Sequence, residues 1–433
     1  MFMKYFAIAV FLAGYLLIIS LPRHRAHVSI IGALLLFAAG AITGGYPPSK
    51  VFFAINWNVM GIFVGTLVLA DLFIYSRAPV VMAEHLVNRA GSVGLAILFI
   101  SLMTGFISAF VENVATVLIV APIAFALCRR VNINPVIPLI SIAISSNLQG
   151  TATLIGDPPS MLLAAHAKMT FNDFFIYRSR PGIFFAVQIG AVFSYLTLWL
   201  FLRKENAKVK LEHVEKVKSW MPVHLLIAMV ILLALSSFAD PGFSYYSGVI
   251  CIILGVLGLF WFVAEQKNSA RKFLADLDWE TALFLIGVFI LVGALTELGW
   301  IDIIAKNLAR ITGQSRFTAF AVIVFVSVAV SAFVDNVPYL AAMLPVAQRL
   351  SESLAASQNG ANFRTLLIFG LLIGTCLGGN ITPIGASANI VACGLLKKHR
   401  HHVGFWEFVR IGLPFTIAAV VPAAIFLWLV WIR

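Results

Sequence analysis

From about residue 5 to residue 431 the chain is a succession of apolar runs, many as long as a bilayer is thick, joined by short, more polar connections. A helix needs about 20 apolar residues to cross hydrocarbon, where every backbone N–H and C=O must find its partner within the segment. Of the 433 residues 61% are hydrophobic and only 11% charged, whereas a soluble domain carries about 25% charged residues. A water-soluble globule and a disordered chain are excluded, and Cys128, Cys251, Cys376 and Cys393 are too scattered for a disulfide framework. The expected fold is an all-α polytopic membrane protein.

Polar residues inside the apolar runs show an internal repeat. Ser108-Ala109-Phe110-Val111-Glu112-Asn113-Val114 returns 223 residues later as Ser331-Ala332-Phe333-Val334-Asp335-Asn336-Val337, with Pro122 and Pro345 at the same offset. Gly150-Thr151-Ala152-Thr153-Leu154-Ile155-Gly156 is answered 229 residues later by Gly379-Asn380-Ile381-Thr382-Pro383-Ile384-Gly385, the extra six residues fitting the polar loop 351–362. Trp57 and Trp279 each open an apolar run. A repeat at this period means that one architectural unit is used twice.

The first repeat is placed at 1–202, a cytosolic linker at 203–222 and the second repeat at 223–433. Spans are expected near 5–21, 28–44, 58–75, 135–163 and 182–202, and again near 223–239, 245–263, 279–298, 364–393 and 411–431. The runs 92–127 and 317–348, broken by Glu112-Asn113 and Asp335-Asn336, are expected as re-entrant helical hairpins. Spans 135–163 and 364–393 are interrupted by Gly and Pro and are expected as broken helices, a pattern that in both halves marks a binding site. Five crossings per half is odd, so the two repeats are expected to be inverted. Connections on one side hold 19 of the 30 Lys and Arg, which makes that side cytoplasmic and puts both termini on the other.

The excess of 30 basic over 18 acidic residues, net +12, follows this sidedness rather than a nucleic-acid surface, since no basic stretch is interleaved with aromatics. The first run, Lys4 to Leu21, lacks a small-residue cleavage site and precedes Arg23, His24 and Arg25, so it is expected as a retained helix in the bacterial inner membrane. Segments 76–90 and 301–312 are amphipathic and suit interfacial arms.

Glu112 and Asp335 at the hairpin tips are the foremost chemical candidates. An ionised carboxylate at bilayer depth costs about 2.5–3.5 kcal/mol, so it is paired, protonated or bound to a cation, or it caps a half-helix N-terminus. Desolvation favours the protonated acid, so such a group can change charge in a cycle. Asn113 and Asn336 accompany them, and the breaks add Thr151, Thr153, Gly156, Asp157, Asn380, Thr382, Gly385, Ser387 and Asn389 as candidate substrate- or ion-binding residues. Asp71 and Glu297 near span ends suit relays or snorkelling side chains. The cysteines suit core positions and His399, His401 and His402 a solvated loop. No Lys or Arg falls within a tip or a break, which argues against direct salt bridges to a multiply charged anion.

The acid-Asn-Val tips, Gly156-Asp157-Pro158-Pro159 and Gly378-Gly379-Asn380-Ile381-Thr382-Pro383 resemble the ion transporter superfamily, in the branch of the ArsB arsenite/antimonite pumps, NhaD sodium/proton antiporters and the melanosomal P protein. That resemblance implies scaffold and transport domains, an elevator movement and a homodimer. Sodium/dicarboxylate members carry Ser-Asn-Thr at the tips, unlike this chain, and the P protein branch has Asp and Asn where this chain has Glu112 and Ser160.

The resulting expectation is a secondary transporter coupled to protons or sodium through Glu112 and Asp335, without a bound cofactor and not an enzyme. Proton-coupled arsenite or antimonite efflux comes first, since a neutral trihydroxy solute suits a site without a base. Sodium/proton exchange, anion or carboxylate uptake and an uncoupled channel remain open. No nucleotide-binding motif is present, so any ATPase would be a separate subunit.

Overall fold

The computed structural model describes residues 1–21, 24–207, 215–267, 269–313, 315–354 and 360–432. Linker residues 208–214 and loop residues 355–359 lie outside them.

The first half runs α1 (Phe2–Ser20), α2 (Arg25–Thr43), α3 (Pro48–Ala54), α4 (Trp57–Tyr75), α5 (Ala78–Arg89), α6 (Val93–Ser108), α7 (Asn113–Val131), α8 (Val136–Gly150), α9 (Pro158–Ala167) and α10 (Ile183–Leu202). The second runs α11 (Met221–Ala239), α12 (Tyr246–Ala264), α13 (Ala270–Asp276), α14 (Trp279–Glu297), α15 (Trp300–Thr312), α16 (Arg316–Ser331), α17 (Asn336–Leu354), α18 (Gly360–Gly378), α19 (Ser387–Lys398) and α20 (Phe405–Trp431). A two-residue antiparallel ribbon, β1 (Ile176–Tyr177) with β2 (Arg180–Pro181), precedes α10.

Local signals set the helix starts in pairs. Asn56 and Asp278 cap α4 and α14 by accepting from Val59 and Thr281 N–H, and Ser92 and Ser315 do the same for α6 and α16. A capping side chain satisfies an N–H that the helix leaves without a partner. Arg77 and Gly299, both left-handed at φ 58° and 76°, turn the chain into α5 and α15.

Ten described helices are long and apolar enough to cross a membrane. They include α7, expected as one arm of a hairpin, whereas α8, expected as part of a crossing, has only 15 residues. The short α3 and α13, each just before a Trp-led span, were expected as connection.

The halves pack reciprocally. Helix α2 lies on α14 and α4 on α12; α7 meets α19 and α17 meets α9; α10 lies against α20. A Cβ on Gly65 of α4 would stand 2.3 Å from the backbone of Cys251 on α12, and one on Gly287 of α14 would stand 2.5 Å from Ser29 Oγ on α2. Small residues at these crossings let backbones approach closely, the usual source of helix association in membranes.

Candidate functional site

The four breaks converge. The first residues of α7, α9, α17 and α19 line one cavity of about 30 Å³, together with Arg25, Asn147, Thr281 and Phe284. Helix starts leave N–H groups that the helix cannot satisfy, but Pro158 and Pro159 remove two of them from α9 and Pro338 removes one from α17, so the ends that face this small space are unequal.

Backbone contacts lock the breaks in place. Thr153 donates its hydroxyl to the Ala109 carbonyl at the end of α6, and Thr382 donates to the Ala332 carbonyl at the end of α16. Cβ atoms on Gly156 and Gly385 would each stand 2.5 Å from a carbonyl oxygen of the same break, that of Gly150 and Gly379 respectively. Thr151 bonds back to the Asn147 carbonyl at 3.1 Å. These five residues therefore shape the site from behind, and the three threonine hydroxyls bond backbone carbonyls.

An amide network joins the halves. Asn147 Nδ2, on α8, donates to Asn380 Oδ1 at 2.8 Å and to Asn389 Oδ1 at 3.0 Å, while Asn389 Nδ2 returns to the Gly379 and Thr382 carbonyls at 2.9 and 3.0 Å. In the first half Ser108 Oγ donates to Asn113 Oδ1 at 2.5 Å and meets Ser146 Oγ at 2.8 Å. Ser160 points at the Gly150 and Thr151 carbonyls, the role that Asn389 has in the second half. Asn336 is buried at the cavity wall.

Three carboxylates reach the cavity. Glu112 caps α7 through Oε2, which accepts from Ala115 N–H at 2.9 Å. Asp157 sits at the start of α9, only 6% exposed, and its Oδ2 is buried without a hydrogen-bond partner among the described residues. Asp335 accepts from Val337 N–H through Oδ1 at 3.0 Å. Its other oxygen accepts from Arg25 Nη1 at 2.8 Å.

Arg25 corrects the expectation of a site without a base. It comes from the first turn of α2, 310 residues from Asp335, and also donates to Ser387 Oγ at 2.8 Å and Thr281 Oγ1 at 3.0 Å. Its guanidinium lies over the Phe284 ring, 5.1 Å from the centroid. Asn147 was missed as well, because its repeat position holds Cys376 and no polar pair marks it.

Other candidates lie elsewhere. Glu297 pairs with Lys50 at the edge of a separate cleft of about 670 Å³ between α3, α9, α14 and α17, and Asp71 does not line the cavity. Arg129 contacts His399, which stacks near Phe125. Among the described residues no group of three or more His, Cys, Asp or Glu is disposed to hold a metal ion.

Residues 15–363 match the protein family described as Citrate transporter. The chain belongs to the citrate transporter family. A 46 kDa membrane protein of Mycobacterium leprae is 30% identical, with 99% of each chain covered, and an uncharacterized transporter of Mycobacterium tuberculosis is 29% identical with 99% of each covered. The P protein of Sus scrofa is 28% identical over 95% of this chain and 58% of its own length. The YdaH transporter of Alcanivorax borkumensis shares the fold at a TM-score of 0.63, with 14% identity and 94% and 98% of the two chains covered. Membership of the citrate transporter family makes this chain an integral membrane transporter and not an enzyme.

Proposed function

We propose that the chain is a secondary transporter that couples movement of a small anion to protons or sodium at the cavity between the four helix starts. The observation that carries this is the charge balance there. Three carboxylates face one guanidinium, so two acids stand without a fixed counter-ion among the described residues. The helix ends offset part of this charge, least at α9, where Pro158 and Pro159 carry no N–H. A cation or proton taken up by Glu112 or Asp157 makes the cavity less negative, which favours an anion beside the helix starts.

The cavity holds about 30 Å³, room for a water or a bare cation and too little for a tricarboxylate. The hairpin ends must part to admit cargo. The reciprocal packing of the halves supports inverted repeats and alternating access, with α6–α9 and α16–α19 as the moving part against a scaffold that includes α2, α4, α12 and α14. The family description supports a carboxylate cargo. Arsenite efflux loses its physical premise, since Arg25 brings a base to the site. The cavity size favours one second reading, cation exchange without an anion.

Purified protein in liposomes, given citrate, succinate, arsenite or sodium under imposed proton or sodium gradients, tests the reading. Anion flux driven by a cation gradient supports it. Cation exchange indifferent to every anion selects the second reading, and gradient-independent flux contradicts coupling.

A further inference from the structure

The two halves of the cavity are built from equivalent positions, yet they are furnished with opposite chemistry. In the second half Asp335 meets Arg25, which is held by Thr281 and Ser387. Thr281 is itself fixed by Asp278, accepting the Thr281 hydroxyl at 2.6 Å. The repeat counterparts of Arg25, Thr281 and Ser387 are Ser247, Val59 and Pro158: none carries a positive charge, and Val59 and Pro158 have no side-chain oxygen to hold a guanidinium. At the tip of the first half, Glu112 is joined instead by a second acid, Asp157, whose own counterpart is Ala386. One side thus has an acid with a built-in cation, and the other has two acids with none among the described residues.

We propose that Arg25 is the resident cation of the second-half site, occupying Asp335 while the cavity is closed between scaffold and moving helices and withdrawing it from ion exchange, so that coupling ions load only on the Glu112–Asp157 side. The inference rests on the coupled-transport reading and departs from a symmetric pair of exchanging tips. A guanidinium suits this fixed role because it stays charged at all relevant pH and its planar fork satisfies several acceptors at once. The three acceptors around Arg25 come from α14, from the start of α19 and from the turn before α17, so the side chain is held by separate elements rather than extended into solvent. Its position over Phe284 adds a flat apolar seat on the same helix as Thr281. Arg25 and Asp335 side chains are only about one-fifth exposed, 20% and 18%, so the pair is little screened by salt.

Among the described residues that line the cavity with Asp335, none but Arg25 is basic. Asp278 lies behind Thr281; Glu112 and Asp157 face it across the cavity from α7 and α9; Tyr15 of α1 and Tyr339 of α17 bring phenols. Removing Arg25 leaves Asp335 among acids and phenols, where it must recruit a proton or sodium ion of its own. The wild type then carries one fewer exchangeable cation than the repeat suggests, and the arginine sets that number.

The test is pH-induced infrared difference spectroscopy of the full chain in liposomes, in choline buffer without transport substrate, counting the carboxyl groups that take up protons. It therefore succeeds or fails independently of any cargo. Asp335→Asn is expected to remove no protonating carboxyl from the wild-type signal, whereas Asp157→Asn removes one. Arg25→Gln is expected to add one carboxyl, which the Arg25→Gln/Asp335→Asn double variant loses again, while Arg25→Lys keeps the wild-type count. A wild-type band that disappears in Asp335→Asn overturns the proposal, and that arm does not depend on Arg25→Gln folding. An unchanged count in Arg25→Gln overturns it too.

Discussion

Asn147 Nδ2, at the cavity between the four helix starts, lies 2.8 Å from Asn380 Oδ1, a direct bond between the two halves of the chain. The same amide also serves Asn389. Both acceptors are fully buried, so whatever breaks this bond leaves two oxygens without water or a partner.

Asn147→Ala is therefore expected to destabilise the protein by about 2–4 kcal/mol, since each stranded buried acceptor costs about 1–3 kcal/mol. Thermal unfolding in detergent checks this. Paired with Asn380→Ala, the loss should be clearly less than the sum of the single losses, as for residues sharing one bond. Additive losses would show that the bond contributes nothing.

Thr153→Val and Thr382→Val should have matching effects, because each removes a hydroxyl that ties a chain break to the preceding helix end. About 1–3 kcal/mol of stability is expected to go in each case, with Thr→Ser restoring most of it. If valine is tolerated at both positions while serine is not, the hydroxyls do not hold the breaks.

How much of this was legible in the sequence follows from the solvent. In hydrocarbon a polar residue or a helix break is costly enough to be retained only for a reason, so Glu112-Asn113, Asp335-Asn336 and the two Gly-rich segments stood out against apolar surroundings. Helix bounds such as Trp57–Tyr75 and Trp279–Glu297 fall within a residue or so of the expected spans for the same reason. The short α3 and α13 were missed because a seven-residue helix leaves little periodicity, although Pro48 and Ser269 are ordinary helix-start signals. Arg25 was read as part of a basic connection because nothing local distinguishes it; only folding brings it to an acid 310 positions away. The threonines were read as ligand-facing, while the structure turns them onto carbonyls that the breaks leave open.

Gly156→Ala and Gly385→Ala are expected to reduce transport strongly and to lower the unfolding temperature. The new methyl would meet backbone oxygen 2.5 Å away in both, and no side chain can rotate to relieve it. Gly91→Ala, with open space around it, serves as the control and should behave as wild type. Wild-type transport by both Gly156→Ala and Gly385→Ala would show that the breaks need not stay closely packed.

Glu297→Gln should leave coupling unchanged, since Glu297 pairs with Lys50 at an exposed position away from the cavity. Surface pairs contribute only about 0–1 kcal/mol. Loss of proton or sodium dependence in this variant, measured in liposomes, would restore Glu297 as a relay and extend the ion path into the larger cleft.

The most direct test of coupling at this cavity is the cation dependence of flux by Asp157→Asn in liposomes, with and without an imposed proton or sodium gradient. Asp157 is the buried acid whose Oδ2 has no hydrogen-bond partner among the described residues, so its amide variant is expected to exchange cargo across the membrane at equal concentrations but to lose gradient-driven accumulation. Accumulation at the wild-type level, still driven by the same cation, would contradict the account.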